Sequence, residues 1–320
     1  MKMEDHSFRA HKVAVVGAGR VGSTFAYALL LRGLAGEIVL IDMDANRAEG
    51  EAMDLSHAAP LSHPTRIWAG DYPDCASADV IVVAAGTAQR PGETRLDLVK
   101  RNAAIFGEII PRVTRHNKTG ILLIATNPVD VLSYVAWKAS GLPAQRVIGS
   151  GTVLDTARFR HLLGHYLGID PHSVHAHIIG EHGDSEVPVW SLATVAGMGL
   201  TDYCGREGLS LSPEVQERIF RQTRDAAYEI IRRKGSTHFA VAVGLLRIVE
   251  SILRDQHTIL AVSHLAAGCY GIGDVYFSLP AVVDAGGVER VLPLPLSETE
   301  QDALCRSAEV VRGVLDELGV

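Results

Sequence analysis

The chain has 320 residues, 47% hydrophobic and 21% charged, with a formal net charge of −7. That length suits two domains packed around one cleft, and the apolar content excludes a disordered chain. The negative balance argues against nucleic acid or an anionic membrane as partner, and no apolar run reaches the length of a membrane span.

Residues 1–11 are charged and lack the apolar stretch of a secretory signal, so they read as a short N-terminal arm. Lys12–Gly17 reads as a strand that ends in glycine, and Ser23–Arg32 as a helix. Glu37–Asp42 is the next strand, with Asp44 placed to cap a helix over Ala45–His57. Asp79–Ala85 and Gly120–Ala125 are further apolar runs of strand length. Runs that are apolar on both faces and separated by helices predict a parallel sheet buried on both sides. After Gly149 the rhythm changes. Helices are expected over Val153–Leu167, Pro213–Arg233 and Thr237–Arg254. Strand-like pieces follow at Thr258–Ser263, Val275–Leu279 and Gly287–Val291. A last helix opens at the capping box Ser297-Glu298-Thr299-Glu300 and runs to Leu318. Cys75, Cys204, Cys269 and Cys305 lie far apart and form no CxxC pair. They fit free thiols in a reducing cytoplasm, and neither they nor the histidines show metal-ligand spacing.

Gly17-Ala18-Gly19-Arg20-Val21-Gly22 is G-x-G-x-x-G directly after a predicted strand and at the mouth of a predicted helix. In that context the first glycine permits the tight turn, the second lets backbone approach a pyrophosphate, and the third lets helix and strand pack closely. Asp42 stands about 20 residues further on, at the end of the second strand. A carboxylate there accepts hydrogen bonds from ribose hydroxyls and repels a 2′-phosphate, which favours NAD over NADP. The expected fold is α/β: a doubly wound parallel sheet of the Rossmann type over residues 1–149, then a mixed α+β substrate domain over 150–320.

Hydride transfer to a keto acid requires a proton donor, a cation for the substrate carboxylate and a second positive group to polarise the carbonyl. Candidates are His182 between two glycines, Asp155 and Arg158 on one helix face, and Arg95 in a polar segment after a strand. Spacing alone does not join them: Asp155 and Arg158 also read as a plain surface pair, and a histidine drawn from 14 is usually structural.

The phrases GAGRVGS, AGTAQRPGETRLDLVKRN, TNPVDVL, GSGTVLDTARFR and IGEHGDSEVPVW, in that order, resemble the L-lactate/malate dehydrogenase family. The resemblance implies that His182 is the proton donor to pyruvate and the acceptor from lactate. It implies that Asp155 fixes the imidazole, Arg158 clamps the substrate carboxylate and Arg95 polarises the carbonyl. Asn127 would touch the substrate oxygen and the cofactor ribose side, with Ser150 near the nicotinamide carboxamide. With Gly17, Gly19, Val21, Gly22 and Asp42 these make up the expected NAD site.

Malate enzymes of that family carry an arginine six positions before the mobile arginine, where this chain has the neutral Gln89. Arg90 matches a basic position of the lactate-type phrase, Glu93 fits the same loop, and Thr237 matches the small residue that bounds a methyl-sized pocket. Pyruvate and L-lactate are therefore the expected pair. The competing expectations are a malate dehydrogenase of the same family and a non-catalytic NAD-binding sensor. Arg160 and His175 match a basic pair that holds fructose bisphosphate between subunits in some bacterial members. The resemblance also implies a homotetramer.

Overall fold

The computed structural model describes residues 10–87, 92, 94–266 and 268–320. Strand β1 (Lys12–Val16) is Lys-Val-Ala-Val-Val and wholly buried, as a central strand of β-branched residues should be. Helix α1 (Arg20–Arg32) follows, then β2 (Glu37–Ile41), α2 (Ala45–Ala58), β3 (Arg66–Ala69), β4 (Val80–Val83), α3 (Arg95–His116), β5 (Ile121–Ile124), α4 (Val129–Ser140) and β6 (Val147–Gly149). The second half runs α5 (Val153–Leu167), β7 (Val174–His175), β8 (Ile178–Ile179), β9 (Val187–Pro188), β10 (Thr194–Val195) and β11 (Met198–Gly199). It continues with α6 (Leu200–Arg206), α7 (Pro213–Arg224), α8 (Ala226–Lys234), α9 (Phe239–Leu253), β12 (Thr258–Leu265), β13 (Tyr276–Asp284), β14 (Gly287–Val291) and α10 (Glu298–Leu318).

Among the described residues the main sheet has nine strands in the order β14-β13-β12-β6-β5-β4-β1-β2-β3. The six strands of the first half are parallel, and their order reverses between β1 and β4. That reversal opens a crevice at the carboxyl ends of the strands, where doubly wound sheets bind ligands. One face of the sheet is packed by α3, α4 and α10 through Phe106, Leu132 and Leu304. The other is packed by α1, α2 and α9 through Phe25, Ala52 and Leu245. Phe25 and Phe106 are fully buried, each contributing about 1.5–3 kcal/mol. A third apolar cluster, around Phe159, Leu163 and Ile178, sits under the small strands of the second half.

The expected division at 149/150 falls at the end of β6. There the backbone pairs onward, Gly149 with Ser263 of β12, so the antiparallel strands of the second half extend the parallel sheet of the first. The helix expected over 213–233 is two helices. Asp225, at φ −81 and ψ −4, ends α7, and its carboxylate accepts a hydrogen bond from Arg224 Nε at 2.9 Å. Sequence pattern leaves α3, α4, β3 and β6 unassigned. The strands are short, and β3 is half-exposed at the sheet edge.

Candidate active site

The glycine turn lies between β1 and α1. Gly17 has φ +104, and a Cβ there would meet the backbone of Ala85 at 2.5 Å. A Cβ on Gly22 would lie 1.9 Å from Gly17 O, so only glycine lets α1 sit this close to the turn. Gly19 differs: nothing lies within 4 Å of its missing Cβ, and as N-cap of α1 it offers no side chain to the first-turn N–H groups. Val21 lies in that first turn. Open space in front of unsatisfied donors at a helix start fits a pyrophosphate. Asp42 is fixed just beyond β2, accepting hydrogen bonds from Ala18 N at 2.7 Å and Asp44 N at 2.9 Å. The chain thus has the residues to hold a dinucleotide.

A cavity of about 500 Å³ lies past the carboxyl ends of the strands. Its walls include Asn127, Asp130, Asp155, Arg158, His182 and Glu186, with apolar side chains from α3 and α10. A smaller hollow of about 40 Å³ is lined by Ser150, Gly151, Val241, Asn127 and His182. Asn127 and His182 line both, and so stand between the two spaces.

His182 Nδ1 is 2.5 Å from Asp155 Oδ2, and Arg158 Nη1 donates to Asp155 Oδ1 at 2.8 Å. Asp155 is 2% exposed, while the side chains of Arg158 and His182 keep 13% and 22%. The bond at Nδ1 leaves Nε2 as the working nitrogen of His182. Arg158 has only Nη1 engaged among the described residues, which leaves Nη2 and Nε for a carboxylate. Burial by itself would lower the His182 imidazole. The charge and hydrogen bond of Asp155 override it, with help from Asp130, and lift the group to about 9. Burial would raise Asp155, but His182 and then Arg158 hold it below the usual carboxylate range.

Asp130 and Glu186 are wall residues not singled out in the sequence. Both sit inside quoted phrases, TNPVDVL and IGEHGDSEVPVW, so proximity to Asn127 and His182 was the available signal. Asp130 Oδ2 accepts the backbone N–H of His182 at 2.7 Å; burial outweighs that bond and pushes the carboxyl up to about 7.

The other expected residues fall as follows. Arg95 is the first residue of α3, held by the Thr94/Asp97 capping box, and its side chain lies outside the described structure. Gln89, Arg90 and Glu93 lie outside the described residues. Thr237 is half-buried in the loop between α8 and α9 and is not in the wall around His182; its neighbour Ser236 accepts from Arg20 Nη1 at 2.9 Å. Arg160 and exposed His175 flank His177, whose imidazole is lowered to about 4 by burial first and then by those two neighbours. Arg160 Nε donates to Ala176 O at 2.9 Å. Away from the cavity, Asp255, His257 and Asp284 bring ligand-type atoms within 4.8 Å of one another. His257 Nδ1 also lies 3.1 Å from Glu289 Oε2, so this group is an exposed ion-pair cluster that sequence spacing hid.

The sequence profile described as lactate/malate dehydrogenase, NAD binding domain, matches residues 11–149, and that described as lactate/malate dehydrogenase, alpha/beta C-terminal domain, matches residues 152–318. A probable L-lactate dehydrogenase of Schizosaccharomyces pombe is 51% identical, over 98% of this chain and 95% of its own length. An L-lactate dehydrogenase of Thermoanaerobacter sp. (strain X514) is 50% identical over 97% of this chain and all of its own. Among solved structures, a lactate dehydrogenase from a Medee basin deep-sea metagenome library superposes with TM-score 0.94 at 46% identity, covering 98% of this chain and 100% of that one. The ligand-bound minor L-lactate dehydrogenase of Enterococcus mundtii does so with TM-score 0.93 at 41% identity, covering 96% and 98%.

Because Asp155 is the largest influence opposing burial at His182, Asp155→Asn should drop the imidazole titration well below about 9. NMR titration of the His182 ring reads this directly; a midpoint still near 9 would contradict it.

Proposed function

Since this chain belongs to the lactate/malate dehydrogenase family, we propose that the cavity around His182 is where it interconverts pyruvate and L-lactate. The chain is an NAD-dependent oxidoreductase acting on that pair. The observation that carries the assignment of the site is the buried Asp155 carboxylate, bonded to His182 on one oxygen and Arg158 on the other. Bound NADH supplies the hydride.

In pyruvate reduction Arg158 takes the substrate carboxylate with its free N–H groups, where planar bidentate geometry suits guanidinium. His182 holds a proton at Nε2 and gives it to the keto oxygen as that oxygen gains charge. Asp155 keeps the ring in the tautomer and orientation that this requires, and stabilises the imidazolium in the reductive direction. Asn127 reaches the same oxygen and the cofactor ribose side. Ser150 faces the carboxamide, while Gly17, Gly19, Val21, Gly22 and Asp42 hold the dinucleotide. Arg95 polarises the carbonyl, and Thr237 bounds the methyl group. Gln89 selects against a second carboxylate, because a neutral side chain leaves a buried anion unpaired.

The assembly is a homotetramer, with Arg160 and His175 offering a bisphosphate site between subunits. Its support is that Arg160 and His175 both lie close enough to His177 to lower its imidazole. Phe239 and Val243, 65% and 60% exposed one turn apart on α9, mark an apolar face suited to a second copy. Among the described residues no helix is long and apolar enough to cross a membrane, and all four cysteines are free. The compartment that fits is the cytoplasm.

His182→Ala should abolish turnover while NADH binding, followed by fluorescence, survives. In the unmodified enzyme kcat/KM for pyruvate should fall as pH rises through about 9, since the imidazolium is consumed. Lactate oxidation, which needs the neutral ring, should rise through the same range. A pair of flat profiles contradicts His182 as the acid. Gln89→Arg should move the pyruvate-to-oxaloacetate ratio of kcat/KM toward oxaloacetate by at least about tenfold, and an unchanged ratio removes Gln89 as selector. Fructose bisphosphate should lower the KM for pyruvate or shift sedimentation toward the tetramer. Loss of that response in Arg160→Gln is expected; no response in the unmodified enzyme ends the assignment.

A further inference from the structure

Glu186 stands four residues beyond His182, just before β9. It is 5% exposed and lines the large cavity, and its Oε1 is buried with no hydrogen-bond partner among the described residues. The charged groups that face it are Asp155 and Arg158 from α5, His182 from its own loop and Arg224 from the end of α7. Neither arginine hydrogen-bonds Glu186: Arg158 bonds Asp155 through Nη1 at 2.8 Å, and Arg224 bonds Asp225 through Nε at 2.9 Å. An ionised carboxylate at this place would be desolvated, unpaired and beside a second carboxylate. Each of those three conditions favours the acid form. Burial first, and Asp155 second, push the Glu186 carboxyl up to about 9.

We propose that Glu186 stands in the pocket as an uncharged carboxylic acid, and that its neutrality reserves one net positive charge for a monocarboxylate substrate. This rests on the reading of the cavity as the substrate site. Protonated His182 and Arg158 carry two positive charges and Asp155 one negative. With Glu186 neutral, these three described groups sum to one positive charge, the sign that pyruvate requires. With Glu186 ionised it would sum to zero, and the anion would enter between two carboxylates. Arg224 and Asp225 cancel each other. Asp130, elsewhere in the wall, and Arg95, proposed at the carbonyl, bear on both cases alike and leave the difference at one charge. Glu186 therefore sets substrate charge by what it withholds, acting beside Gln89, which is expected to act on the far end of the substrate.

The test uses the NADH-loaded enzyme and oxamate, the isosteric amide analogue of pyruvate, at pH 7 to 10. In the unmodified enzyme two protons support binding, so affinity should fall about hundredfold per pH unit above about 9. In Glu186→Gln, which is neutral throughout, it should fall about tenfold. Equal slopes in the two proteins overturn the proposal. Independently of any binding, the infrared difference between unmodified and Glu186→Gln protein at pH 7 should carry the C=O stretch of a protonated carboxylic acid. Carboxylate bands in its place overturn it. Glu186→Met serves in both measurements if the glutamine variant does not fold. The infrared band reports the protonation state whether or not pyruvate is turned over. Failure of the dehydrogenase site and failure of this role are thus told apart.

Discussion

The hydrogen bond between His182 Nδ1 and Asp155 Oδ2, 2.5 Å long and buried at its acidic end, is the interaction on which the site depends. A buried carboxylate is costly unless charge and hydrogen bonds compensate it, and removing one partner of such a pair costs about 3–5 kcal/mol. Asp155 is compensated twice, by His182 and by Arg158, which are also the two groups proposed to protonate and clamp a 2-oxo acid. The carboxylate that keeps the fold from burying a bare charge is therefore the same one that sets the reactive groups at a fixed separation. The spacing of acid and clamp is a by-product of electrostatic satisfaction.

Around that centre the scaffold is conventional in its logic. The parallel strands deliver the glycine turn, Asp42, Asn127 and Ser150 to one edge of the sheet, because every parallel strand ends on the same side. The second half delivers Asp155, Arg158 and His182 from α5 and from the loop before β9. It also supplies the acid Glu186 and the α7–α8 bend. That bend places Arg224 and Tyr228 in the wall, where an unbroken helix would carry its later residues elsewhere.

The nucleotide half was legible because its chemistry is local. Gly17, Gly19 and Gly22 serve one turn, and Asp42 ends one strand, so short-range pattern carries them. The α5 pair Asp155 and Arg158 was legible as a helix face, but its union with His182 spans a loop and two strands, which periodicity does not encode; resemblance joined them. Asp130 and Glu186 escaped notice because an acidic residue in a polar loop reads as a solvated one, and only burial makes it otherwise. The α7–α8 break was hidden because Arg224 and Asp225 are ordinary helix residues, with no proline or glycine beside them to mark it. Thr237 rests on its place in a phrase, and its loop is tied to α1 through Ser236 and Arg20.

The continuous sheet has a mechanical consequence. Gly149 of β6 pairs with Ser263 of β12, so cofactor half and substrate half are stitched by backbone and share one set of core layers. Enzymes whose halves meet only at a linker admit ligands by swinging one half away from the other. Here such a swing would tear main-chain bonds in the middle of a nine-stranded sheet. That seam favours control of access to His182 by segments smaller than a domain, with the two halves of the sheet held together.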